Sequence, residues 1–150
     1  MSLFMSMVVV ALLGAHGQSK RPQPPLYDFQ SLKTFRCDFT ESEGRRTSAA
    51  GVTSPATRET FSDLVIDNVD YQERAARFIG NAGSGTVQVL NGELIVSFLE
   101  LSQSGNPNLL SIFKGTGSLD RYKAVYSRHS ALLTGDLTIS QSYGTCRGLL

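Results

Sequence analysis

From Leu32 to Cys146 the chain runs in short stretches of alternating or wholly apolar residues, each cut within about ten residues by a turn rich in Gly, Asn, Asp or Pro. Phe35, Cys37 and Phe39 alternate with Arg36 and Asp38, and Tyr122, Ala124 and Tyr126 share one side of Arg121–Tyr126. A period of two with one apolar side marks a half-buried strand. Further strands are predicted at Phe61–Ile66, Arg74–Ile79, Thr86–Leu90, Leu94–Leu101 and Leu109–Lys114, with a short one at Tyr143–Cys146. Leu132–Ile139, interrupted by Gly135-Asp136, reads as a hairpin or a bulged strand. Asn91-Gly92 is the strongest hairpin signal, because both residues tolerate positive φ. No helical apolar stripe of 11 or more residues follows the first 17; Tyr71, Ala75 and Phe78 would allow one or two helical turns at most. Loops of two to six residues leave no room for crossover helices. The expected fold is therefore an all-β, single-domain antiparallel meander of seven to nine strands.

Charge excludes some partners. Fourteen Lys and Arg stand against 13 Asp and Glu, so no basic field draws the chain to nucleic acid. Two Cys and two His are too few for a zinc finger or an iron–sulfur centre. Strands mostly of five to eight residues and the absence of Trp argue against a membrane-spanning barrel. So do Arg36, Arg77, Arg121 and Lys123, which alternation places on the outer face.

Leu3–Ala15 is an uncharged apolar run shorter than the roughly 20 residues a spanning helix needs. With Ala15-His16-Gly17 after it, the run reads as a signal peptide over residues 1–17, although no Lys or Arg precedes it and Lys20 and Arg21 follow. The alternative is a buried N-terminal helix or strand. Residues 18–31, opening with three prolines in Gln18–Pro25, read as an extended tail, and residues 32–150 as the β domain. Export to the periplasm or the extracellular space follows, with no integral span in the mature chain. Cys37 and Cys146 are most simply a disulfide in that setting, two separate buried thiols being the other reading. A bridge from the first strand to the last segment would pin the two edges of the meander together. That favours an up-and-down barrel of lipocalin-like size, with a β-sandwich as the alternative.

Three segments, Phe78-Ile79-Gly80-Asn81-Ala82-Gly83, Tyr126-Ser127-Arg128-His129 and Tyr143-Gly144-Thr145-Cys146, follow the early Cys37. In these the chain resembles a group of small exported bacterial proteins without an assigned activity. The resemblance spans roughly residues 35–148. It implies export and pairing of the two cysteines, and carries no catalytic residue across.

Few residues suit chemistry. His129 is the single histidine after the leader, and no G-x-S-x-G elbow accompanies it. A hydrolase using His129 is one alternative; a histidine at a strand end, bonded to a loop carbonyl or to Asp136, is the plainer reading. Gly80–Gly85 and Gly115–Ser118 lack the Lys of a phosphate loop and read as hairpin turns. Asp63, Asp67, Asp70 and Glu73 do not have EF-hand spacing and read as a solvated turn with Asp67 and Asn68 bonding their own backbone. Arg45-Arg46, beside Glu41 and Glu43, reads as a solvated ion-pair cluster. Glu41–Arg58, without periodicity, reads as a long loop suited to covering a barrel mouth.

Phe35, Phe39, Phe98, Phe113, Tyr122 and Tyr126 are expected inside, filling much of the interior. These features lead to a non-enzymatic exported barrel that binds a small ligand or a protein partner, with no cofactor and no metal. Candidate ligand-contacting residues are Tyr122, Tyr126, Phe98 and His129. A loop-mediated inhibitor or structural interaction protein is the remaining alternative.

Overall fold

The computed structural model describes residues 29–56, 60–81, 83–115 and 121–150. The predicted signal peptide and most of the predicted tail lie outside them. Nine strands follow one another: β1 (Thr34–Thr47), β2 (Thr53–Pro55), β3 (Phe61–Asp70), β4 (Ala75–Gly80), β5 (Gly83–Asn91), β6 (Ile95–Leu101), β7 (Pro107–Phe113), β8 (Tyr122–Ala131) and β9 (Leu137–Leu149). Every pairing is antiparallel. From β3 onward neighbours in sequence are neighbours in the sheet, and β1, paired with β3 on one side, also pairs with β9. The result is a closed up-and-down barrel of eight strands, with β2 as a short arm on β1. The sandwich alternative falls, because the sheet has no open pair of edges to stack.

Thirteen residue pairs make the β1–β9 seam, from Thr34↔Leu149 to Thr47↔Leu137. Within it Cys37 stands directly opposite Cys146, and a disulfide joins them across 109 residues of chain. The predicted staple between first and last strands is present.

Inward residues form layers that the register specifies. Val89, Phe98, Leu110, Tyr126 and Ser142 lie side by side across five strands, and all five are buried. Phe35, Phe39, Leu64, Ile66, Val69, Val87, Val96 and Ile112 fill the space below and beside them. Burial of this apolar surface, at roughly 25 cal/mol per Å², is the main force holding the barrel together.

Three bulges bend the strands. Asp63 and Asn68 take positive φ where β3 carries an extra residue against β1 and then against β4, and Thr40 is the extra residue of β1 against β9. At the last of these, Gly144 meets the backbone of β1: a Cβ there would lie 1.9 Å from the carbonyl oxygen of Asp38. Only glycine fits.

Several expectations need correction. Glu41–Arg58 is not a long loop: β1 runs on to Thr47, and Thr53–Pro55 returns beside it as β2. Beyond the bulge both faces of β1 are polar or small, so the alternation that marks a strand disappears. Arg46 pairs with Asp136 of the β8–β9 turn rather than with Glu41 or Glu43. Phe113 is only half-buried on the outer face, because Leu110 and Ile112 take the inward positions of β7. Asp67 forms a two-pronged ion pair with Arg77 (2.8 and 2.6 Å), and Asp70 is the residue that caps its own turn, accepting from the N–H groups of Gln72 and Glu73 at 2.9 Å. Tyr143–Cys146 belongs to a strand of 13 residues, and Leu132–Asp136 links β8 to β9 as a hairpin.

Candidate functional site: the open mouth of the barrel

The two ends of the barrel differ. At the end where β1 begins, the turn Phe29–Ser31 folds under the strands. The Phe29 ring lies 5.3 Å from that of Phe35 and 5.0 Å from that of Tyr122, and the Tyr71 hydroxyl donates to its carbonyl at 3.2 Å. The Lys114 ammonium sits 5.2 Å from the Phe29 ring and donates to Asn91 Oδ1 and the Gly92 carbonyl. Leu32 is buried beside this plug, against Gly148. This end is shut.

The opposite end, where β4, β6 and β8 finish, is open and holds a cavity of about 710 Å³. That is within the range of small-ligand pockets. Its floor is aromatic and aliphatic: Phe61, Leu64, Phe78 and Tyr126. The Tyr126 ring lies 5.5 Å from Phe61 and 6.1 Å from Phe78, and Phe61 packs on buried Phe39 at 4.8 Å, so the floor rests on the core.

Above the floor is a polar layer. Glu100, Asn108 and Arg128 are consecutive cross-strand partners on β6, β7 and β8, one inward step beyond Phe98, Leu110 and Tyr126. Arg128 is followed in turn by Ser140 of β9 and Gly44 of β1. All three polar side chains are half-buried and line the cavity. Asn108 Nδ2 donates to Glu100 Oε2 at 2.8 Å, and Oε1 lies over Gly85, 3.5 Å from where a Cβ would stand. Among the described residues Glu100 and Arg128 are the charged members of the cavity wall.

Of the four predicted ligand residues, the structure brings only Tyr126 to this cavity. Phe98 is 1% exposed and packs against Phe35 at 5.7 Å in the filled interior. Tyr122 belongs to the shut end with Phe29. His129 is exposed on the outer face of β8 opposite Ile139, and Asp136, one of the two partners expected for it, accepts from Arg46 and from the Ala49 N–H. The residues the reading missed, Glu100, Asn108 and Arg128, were within reach of the same rule. Alternation carried one step past Phe98, Leu110 and Tyr126 points all three inward.

Charged groups elsewhere brace the wall. Arg46 and the Ala49 N–H hold the Asp136 carboxyl below its ordinary pKa, and Arg77 does the same for Asp67. The Tyr143 hydroxyl donates to Glu43 and lies 2.8 Å from the Gln141 amide oxygen; the neighbouring carboxylate pushes its pKa up. Among the described residues no group of His, Cys, Asp and Glu is placed to hold a metal ion, and no helix is long and apolar enough to cross a membrane. Comparison with protein-family models, with curated proteins and with solved structures gives no match.

Proposed function

We propose that this protein is an exported, non-enzymatic barrel that holds a small ligand in its mouth. The observation that carries the reading is the asymmetry of the two ends. One is plugged by Phe29, and the other leaves a cavity with an apolar floor of Phe61, Phe78 and Tyr126 beneath a polar wall that includes Glu100, Asn108 and Arg128. A concavity that sets polar side chains over an apolar floor can orient a small molecule and bury its apolar part at once. Export is supported by the Leu3–Ala15 run and by a disulfide, a bond that persists in oxidising compartments.

The test uses a neutral fluorescent probe, N-phenyl-1-naphthylamine, titrated into the oxidised protein. Gly85→Phe is the control, because a side chain there enters the mouth from β5 and first meets only the flexible end of Glu100, at 3.5 Å from the new Cβ. Saturable one-to-one binding that Gly85→Phe abolishes is the expected result. No binding, or binding unchanged in a folded Gly85→Phe variant, overturns the proposal.

A further inference from the structure

We infer that the mouth selects a zwitterion: a compact molecule carrying an ammonium and a carboxylate on an aromatic body, such as an aromatic amino acid or a short peptide containing one. This rests on the mouth being a ligand site. Among the described residues the cavity wall offers one carboxylate and one guanidinium, Glu100 and Arg128. They stand two strands apart with Asn108 between them, a backbone separation of about 10 Å at the usual strand spacing. A ligand bearing only a negative charge meets Glu100 as well as Arg128, and one bearing only a positive charge meets the reverse. A ligand bearing both signs matches each group with its opposite.

The geometry of the carboxylate sharpens the assignment. Glu100 Oε2 is occupied by the Asn108 amide, and Oε1 faces the space above Gly85, where an ammonium can donate to it. A guanidinium has five N–H donors arranged in a fork that matches a carboxylate, so Arg128 can add a ligand's carboxylate to the contacts it already makes. Beneath both, Phe61, Phe78 and Tyr126 pack on one another as an aromatic floor on which a ligand's ring can lie. Ring and both charges are then engaged at once, in a half-open site where partial hydration keeps the desolvation cost moderate.

The experiment compares probes that share a phenyl ring and differ in charge: L-phenylalanine, phenethylamine (ammonium only) and 3-phenylpropionate (carboxylate only). The dipeptide L-alanyl-L-phenylalanine separates a free amino acid from a peptide source. Each displaces N-phenyl-1-naphthylamine from the wild-type protein and from Glu100→Gln and Arg128→Gln. Glu100→Gln retains an oxygen for the Asn108 amide and removes only the charge. Hydrogen bonds to charged groups predict that the tighter of the two zwitterions binds about tenfold or more better than either singly charged probe. Glu100→Gln is then expected to erase that advantage while leaving 3-phenylpropionate no weaker, and Arg128→Gln to do the converse. A singly charged probe that binds as tightly as both zwitterions, or a Glu100→Gln variant that keeps the full advantage, overturns the zwitterion assignment. Probe binding that none of the four compounds displaces also overturns it, leaving the mouth as the ligand site. Failure of the fluorescent probe itself to bind removes the site, and this assignment with it.

Discussion

Gly144 of β9 lies so close under β1 that its place in the sheet is set by the carbonyl of Asp38, which a Cβ would approach to 1.9 Å. The obstacle is backbone, not the end of a flexible side chain, so relief requires the bulge at Thr40 to move. Overpacking ordinarily costs 1–3 kcal/mol, and Gly144→Ala is expected at the upper end, about 3 kcal/mol, in urea or thermal unfolding. Gly85→Ala, whose new Cβ meets only Glu100 Oε1 at 3.5 Å, serves as the tolerant control.

Reduction of the Cys37–Cys146 bridge should lower stability without opening the barrel. The chain-entropy model assigns about 4.7 kcal/mol to a loop of about 100 residues, and measured values are commonly 2–4 kcal/mol. The thirteen residue pairs of the β1–β9 seam are backbone contacts and remain after reduction. A lower unfolding temperature with an unchanged far-ultraviolet dichroism spectrum is expected, both on reduction and in the Cys37→Ala, Cys146→Ala double variant.

Acid should weaken the fold through Asp67, Asp70 and Asp136. Arg77 for the first, the N–H groups of Glu73 and Gln72 for the second and Arg46 for the third hold the folded pKa below the ordinary value. The unfolded chain titrates these groups near 3.9. Their contribution is therefore complete above about pH 4 and is lost as pH falls through the depressed folded values. Urea midpoints measured from pH 6 down to pH 2 should decline, and the decline should be shallower in the Asp67→Asn, Asp136→Asn double variant.

Tyr143 offers an alkaline signature. Its hydrogen bond to the Glu43 carboxylate raises its pKa, so the protonated phenol is favoured by folding. That contribution is present below the unfolded value of about 10 and is lost as pH rises through the folded one. Absorbance at 295 nm should show a late-ionising tyrosine that Glu43→Gln shifts to lower pH.

The Phe29 plug should contribute to stability and not to the mouth. Phe29→Ala removes ring contacts with Phe35 and Tyr122, and for a partly buried ring a cost of about 2 kcal/mol is expected. Binding of the fluorescent probe at the far end should be unchanged.

The strands of the barrel wall were legible because each has one side in the core. Phe35, Cys37 and Phe39 on β1, and Tyr122, Ala124 and Tyr126 on β8, announce that side directly. The staple was legible from the placement of two cysteines near opposite ends of the sheet-forming region. The outer half of β1 was not, since Ser42 and Gly44 face inward and Glu43 and Arg45 outward, a contrast of small against charged that does not register as apolar against polar. Phe113 misled for the opposite reason: Leu109–Phe113 is apolar on both faces, so only the register with β6 and β8 decides which residues enter the core. The mouth was half legible. Tyr126 is legible as a ring on an inward face, but Glu100, Asn108 and Arg128 carry no apolar signal, because a barrel that stays open lets its inward positions turn polar.

The seam between β1 and β9 also sets a timetable. A ribosome releases β1 first and β9 last, so one flank of a 14-residue strand waits, its amides and carbonyls unclaimed, until 109 further residues have followed Cys37 and delivered Cys146. During that interval the nascent sheet is a ribbon with two adhesive borders, the form in which β proteins most readily capture one another. Slow closure and a need for guarded passage through synthesis are written into the same pairing that closes the finished barrel.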